Sequence, residues 1–230
     1  MDSKDYVDRS LERALSQATP RALSRTQWRE MAVEVSVRLC CALLLSIFAY
    51  AAILQWRVAP ERLTVLLLAL ASSLTVGLSL FARIPEKRDW RPLSIVLSVG
   101  GTFYFLAIEL APGIRLIPEQ VGASLCCAGI LWQLFAKASL RRSFGILPAN
   151  RGIVTRGAYR LVRHPIYLGY FITDIGFLST NFGWRNLLVY AGLFALQIGR
   201  LLREERLLSQ DPGYRGYQAI VRYRIIPGVF

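Results

Sequence analysis

The feature that most constrains this chain is a series of long apolar runs separated by short polar segments. A helix of about 20 apolar residues spans the ~30 Å hydrocarbon core of a bilayer. Six segments meet or approach that length: Met31–Trp56, Leu63–Phe81, Leu93–Ala111, Ile117–Ala136, Ile166–Thr180 and Trp184–Leu202. The fifth is short, and "NFGW" (Asn181 to Trp184) joins it to the sixth as a tight hairpin. Backbone groups in lipid must be satisfied within their own segment, so the spans are expected to be helices. The expected fold is an all-α polytopic membrane protein with about six transmembrane helices, or five if the fifth run is not a full span. Composition agrees, because 54% of the 230 residues are hydrophobic and only 19% are charged, against about a quarter charged in an ordinary soluble domain.

The net charge of +13 would suit a nucleic-acid partner, but its distribution argues against one. The N-terminus, 82–92, 137–165 and the segment from 200 onward hold 23 of the 28 Lys and Arg residues. The alternate set of polar segments holds only Arg57, Arg62, Arg115 and Arg185. This asymmetry is the positive-inside pattern, and it puts both termini on the cytoplasmic side. The expected location is an integral membrane position, in a bacterial inner membrane or the endoplasmic reticulum. The expected partners are membrane lipids rather than nucleic acid.

Cysteine usage points to no redox or metal chemistry. The four cysteines form two adjacent pairs, Cys40–Cys41 and Cys126–Cys127, inside predicted spans. Neighbouring cysteines rarely bridge, and thiols in hydrocarbon behave as small hydrophobes. One histidine supports no histidine cluster, so no metal site is expected. The first 30 residues show no signal-peptide pattern. Val7, Leu11, Ala14, Leu15 and Ala18 recur at helical spacing and predict an amphipathic surface helix.

Three regions are expected: 1–30 as an N-terminal cytoplasmic amphipathic segment, 31–136 as a four-helix transmembrane region, and 137–230 as the functional region. The first two carry little chemistry. Glu34 and Arg38 are four apart and predict a local ion pair. Glu109 closes the third span near the headgroups. From Lys137 the character changes to a long basic loop, and long ordered loops are often functional.

Three constellations there could carry chemistry. "GAYRLVRHPIYLG" contains the only histidine, His164. Taken alone, its Arg160 and Arg163 are snorkelling anchors and its Tyr159 and Tyr167 an aromatic belt. Pro165 at the first position of a helix also leaves a terminus able to hold a carboxylate or phosphate, with Arg163 and His164 beside it. "RLLREE" places Arg200 and Glu204 four apart, with Glu205 about 100° round the helix. Two carboxylates near a helix C-terminus oppose the macrodipole and call for a positive partner, either Arg203 and Arg206 or a cationic ligand. The tail "GYRGYQAIVRYRIIPG" either covers the membrane surface or folds back over the other two as a lid. Asp174, within the fifth span, is either functional or bonded to a neighbouring helix.

Together, "GAYRLVRHPIYLGY", the hairpin, "REERLL", "YRGY" and "RIIPG" resemble the isoprenylcysteine carboxyl methyltransferase family, which is related to membrane phospholipid methyltransferases. The resemblance spans residues 140–228. It implies a C-terminal helical pocket for S-adenosylmethionine on the cytoplasmic face. In that pocket Tyr159, His164, Pro165, Tyr167 and Leu168 bind the cofactor, and Glu205 or Glu204 meets its positive charge. Arg200 then faces a lipophilic or lipidated acceptor, such as a prenylcysteine-type carboxylate, and Glu204 could help an amine acceptor lose its proton. Two other readings are a sterol-type NADPH-dependent membrane reductase and a non-catalytic transporter or assembly protein. Reductases of that type carry an acidic residue after the glycine of the HPxYxG run, where this chain has Tyr170.

Overall fold

A computed structural model of the chain describes residues 25–80, 87–88, 92–140, 149–150 and 153–230. The predicted amphipathic segment and most of the 82–92 loop lie outside these residues, as does the Glu34 side chain of the expected Glu34–Arg38 pair. The protein is all-α in its main elements. Helix α1 is Arg25–Val58, α2 Leu63–Leu80, α3 Pro92–Phe103, α4 Glu119–Leu140, α5 Pro165–Thr180, α6 Trp184–Leu208 and α7 Pro212–Ile220. Short 3₁₀ turns follow α3, at Tyr104–Ala107, and precede α5, at Gly157–Arg160. A two-residue antiparallel ladder pairs Lys87–Arg88 with Ala149–Asn150.

By length and composition, Met31–Val58 and Glu119–Leu140 are long and apolar enough to cross a membrane. Leu63–Leu78 and Val96–Ala107 are shorter apolar stretches. Large apolar side chains also lie exposed along outer helix faces. Leu43, Ile47, Tyr50 and Leu54 form one such stripe on α1, and Trp184, Leu188 and Ile198 another on α6. Stripes of this kind belong against hydrocarbon or a partner rather than water.

The chain divides into two compact units, 1–37 and 38–230. The described part of the first is the opening of α1. The second is held by one main core that draws on α1, α2, the 3₁₀ turn after α3, α4, α5 and α6, with Phe48, Val65, Leu68, Cys126, Phe177 and Tyr190 among its members. Helix α3 packs on α6, and α4 packs on α5.

The α4–α5 pair is the closest in the fold, and glycine is the reason. A Cβ on Gly122 would lie 2.9 Å from the Gly176 carbonyl, and one on Gly176 would lie 2.8 Å from the Gly122 carbonyl. Gly129 and Gly169 repeat the arrangement two turns away, at 2.8 and 2.9 Å. Backbone therefore touches backbone, as expected where small residues let helices meet in lipid. Thr173 and Gln133 are drawn into this seam, the Gln133 amide donating to the Thr173 hydroxyl at 3.1 Å.

The third predicted span, Leu93–Ala111, ends early. Its helix stops at Phe103, and after the 3₁₀ turn the chain leaves the helical path. Asn186 explains how this is tolerated. Its side-chain oxygen accepts the Glu109 N–H at 2.7 Å and its amide donates to the Glu109 carbonyl at 3.2 Å, so backbone freed from the helix is still paired. The same end of the unit holds a buried polar cluster. Thr64 donates through its N–H and hydroxyl to Glu119 Oε1, at 2.8 and 2.7 Å, which caps the start of α2 from a different helix. Arg62, only 3% exposed, donates to Asn181 Oδ1 and to the Ala111 carbonyl.

Candidate functional site

At the opposite end of α5 and α6, the three constellations meet. Pro165 occupies the first turn of α5, where its missing N–H costs nothing. The tail folds back onto the segment before it: the Arg163 N–H donates to the Tyr223 carbonyl at 2.9 Å and the His164 N–H to the Arg224 carbonyl at 2.7 Å. Those two backbone donors are thus already engaged. Helix α7 begins at Asp211, whose side chain accepts the Gly213 N–H at 2.8 Å. It buries Tyr214 and Tyr217 against Ile153, Tyr159 and Leu208. The Tyr217 hydroxyl donates to the Tyr159 carbonyl at 2.7 Å, tying the tail to the 3₁₀ turn before α5. Burial pushes both phenols of α7 upward, so they stay neutral donors.

Glu205 is the hub of this corner, and it is buried. One carboxylate oxygen lies 2.7 Å from Arg163 Nε and 3.3 Å from His164 Nε2. The other lies 2.7 Å from Arg224 Nε. Burial by itself raises the carboxyl. Hydrogen bonds from His164 and Arg224, with the Arg163 charge, outweigh it and hold Glu205 at about 2. The positive partner that the glutamate pair calls for is therefore supplied to Glu205 within the chain. Three elements converge on one carboxylate: the end of α6, the entry to α5 and the tail.

Glu204, one residue back, points elsewhere. The ~100° step between neighbours on a helix puts Glu205 into the ion cluster and Glu204 on the wall of a cavity. That cavity opens between α5, α6 and the 3₁₀ turn and runs inward between the helices. Of the site residues expected from the sequence, Tyr159, His164, Tyr167, Arg200 and Glu204 line it. Pro165, Leu168 and Glu205 are not on its wall, and Glu205 stands behind it, bonded to the His164 that is. Arg200 donates to the Thr102 hydroxyl at 3.3 Å, and its guanidinium lies 5.9 Å from the Tyr167 ring centre. Burial first, then the Glu204 charge, raises the Tyr159 phenol well above its usual value. The inner part of the cavity is mainly apolar, with Leu45, Leu68, Phe105 and Leu193 on its wall.

Sequence reasoning undervalued two residues here. Arg224, by sequence one more charge of a basic tail, is a direct partner of Glu205. Lys137, by sequence the first charge of the basic loop, is 5% exposed, donates to the Thr75 hydroxyl at 3.4 Å and sits 5.3 Å from the Tyr170 ring centre. Its position inside α4, beyond the predicted end at Ala136, was the available signal.

The corner thus offers a guanidinium and a carboxylate facing a shared cavity, aromatic rings beside them and a mainly apolar lining beyond. No curated protein matches the sequence. Residues 122–210, which take in α5, α6 and most of α4 and so carry His164, Arg200 and both glutamates, match the isoprenylcysteine carboxyl methyltransferase (ICMT) family.

Proposed function

We propose that this protein is an integral membrane methyltransferase that uses S-adenosylmethionine to methylate a lipophilic acceptor, with a carboxylate as the preferred acceptor group. The observation that carries this reading is the pairing of Arg200 and Glu204 on one cavity wall, with a mainly apolar chamber inward of them. On this reading the apolar helices α1 to α6 lie within the bilayer, the short α3 together with the 3₁₀ turn that follows it. The basic segments then put the site on the cytoplasmic face.

The residues present suit the cofactor's chemistry. When bound, the cofactor supplies a methyl group on a positively charged sulfur and carries an ammonium and a carboxylate at its amino-acid end. Glu204 is the cavity carboxylate best placed for the ammonium, because Glu205 is committed to Arg163, His164 and Arg224. Tyr159 and Tyr167 present rings on the same wall, which suits a cation or an adenine. Glu205 acts through others: it fixes Arg163 and His164, and with them the entry to α5, against the tail. Pro165 and Leu168 shape that entry from behind the wall.

Arg200 suits an acceptor carboxylate, which is ionised at neutral pH and needs no base before attack. An amine acceptor would need to lose a proton, and Glu204 is the group within reach of that task. The main work of the site is alignment of two bound molecules and exclusion of water, which the apolar chamber and the folded-back tail provide. Incubating the purified protein with lipid and lipopeptide extracts and methyl-labelled cofactor, followed by mass spectrometry, tests this. Label should appear on a lipophilic carboxylic acid in an Arg200-dependent way. Label on water-soluble compounds alone, or none at all, would overturn the reading.

A further inference from the structure

The chamber beyond Arg200 is not uniformly apolar. Tyr167, Tyr170 and Asp174 recur at i, i+3 and i+7 on α5 and all face the cavity. Leu193, Gln197, Arg200 and Glu204 do the same on α6. Arg200 lies beside Tyr167, and Asp174 is seven residues further along α5, so it lies about 10 Å deeper. Leu45, Leu68, Phe105 and Leu193 line the same cavity. Among the described residues, nothing hydrogen-bonds the Asp174 carboxyl or the Gln197 amide, although Gln197 is only 8% exposed. By contrast, the neighbouring polar groups are satisfied within the protein. Ser72 donates to the Leu68 carbonyl at 2.9 Å, and Thr173 to the Gly169 carbonyl at 2.9 Å.

Asp174 is half-buried and Gln197 buried, and a carboxyl and an amide that line a cavity without a protein partner favour a polar group there. Both line the same cavity, whose lining is mainly apolar with Ser and Thr side chains among it, and Gln197 stands about one turn from Arg200 on α6. We propose that the inner chamber is a recognition site for a hydrogen-bond donor, an amine or a hydroxyl, at the far end of the acceptor. Asp174 accepts from it and Gln197 flanks it. The acceptor is then two-headed: a carboxylate held at Arg200, an apolar linker of about eight carbons across the ~10 Å between the two residues, and a donor at Asp174. An acceptor tail that is hydrocarbon to its end leaves Asp174 and Gln197 unmet and binds more weakly. This inference rests on the assignment of Arg200 to the acceptor carboxylate.

Binding of octanoate and its ω-hydroxy and ω-amino derivatives to the full chain in lipid nanodiscs, by calorimetry without cofactor, tests it. The derivatives should bind at least about tenfold more tightly than octanoate. Asp174→Leu should abolish that preference and improve octanoate binding. If Asp174→Leu does not fold, Asp174→Asn should keep the hydroxy preference and lose the amino one. Equal affinity for all three ligands, with binding still lost in Arg200→Gln, overturns the inference and leaves the proposed function standing. A donor preference that survives Asp174→Leu also overturns it. No binding of any of the three overturns the inference together with the placement of Arg200.

Discussion

Replacing Glu205 with Gln is the sharpest structural perturbation available. The substitution keeps the shape of the side chain and removes the charge on which Arg163, His164 and Arg224 converge. Arg163 is 8% exposed and cannot recover its lost partner from water, whereas Arg224, at 35%, can in part. Removing one member of a buried ion cluster costs about 3–5 kcal/mol, and the partial exposure of Arg224 argues for the lower end. The carboxyl itself gives a similar figure: lowering it from 4.5 to about 2 corresponds to about 3 kcal/mol favouring the folded state. Thermal unfolding in detergent micelles reads the result. A loss of about 3 kcal/mol in a chain of this size lowers the midpoint by roughly 6–12 °C. The pH dependence carries the same sign. A carboxyl lowered by folding contributes its full stability above about 4.5 and loses it as pH falls toward 2. The gap between wild type and variant should therefore be widest near neutral pH and close under acid. A variant within about 1 °C of wild type at pH 7, or a gap that widens under acid, would refute the reasoning.

The α4–α5 seam should reject any side chain. Gly129→Leu forces a clash with the Gly169 carbonyl and Thr173 and should cost 1–3 kcal/mol or more, seen as a lower unfolding midpoint. Gly77→Ala on α2, where an added Cβ meets nothing within 4 Å, should be neutral or stabilising by about 0.5–1 kcal/mol in the same assay. Tyr217→Phe removes the hydrogen bond to the Tyr159 carbonyl and should cost about 1 kcal/mol, with faster proteolysis of the tail. Glu119→Ala strands the Thr64 N–H and hydroxyl and should cost about 1–3 kcal/mol, detectable by hydrogen exchange at the start of α2.

Apolar run length made the helices α1 to α6 legible as elements, of which Met31–Val58 and Glu119–Leu140 are long and apolar enough to cross a membrane. The ends were less so. α3 stops short of Ala111 because Asn186, 77 residues away, satisfies the Glu109 backbone, and no local pattern carries that information. α6 runs on to Leu208 past its predicted end because Glu205 is neutralised from two other segments. The site was legible as three separate motifs with one unmet charge. Their convergence was not, and with it went the division of labour between the glutamates. A helix turns about 100° per residue, so the sequence shows that Glu204 and Glu205 differ in direction. Which one finds cations depends on where Arg163 and Arg224 lie in space. The glycine seam could have been found earlier: Gly122 and Gly129, and Gly169 and Gly176, each repeat at seven residues.

On the proposed reading Glu204 meets the cofactor's ammonium from the cavity wall while Glu205 holds the wall together. Calorimetric titration of S-adenosylmethionine into wild type, Glu204→Gln and Glu205→Gln in lipid nanodiscs, with unfolding midpoints measured on the same samples, tests it most directly. Wild type should bind, Glu204→Gln should bind at least about tenfold more weakly at an unchanged midpoint, and Glu205→Gln should bind more weakly with a lowered midpoint. Absence of binding to wild type, or a Glu204→Gln variant that binds as wild type does, would contradict it.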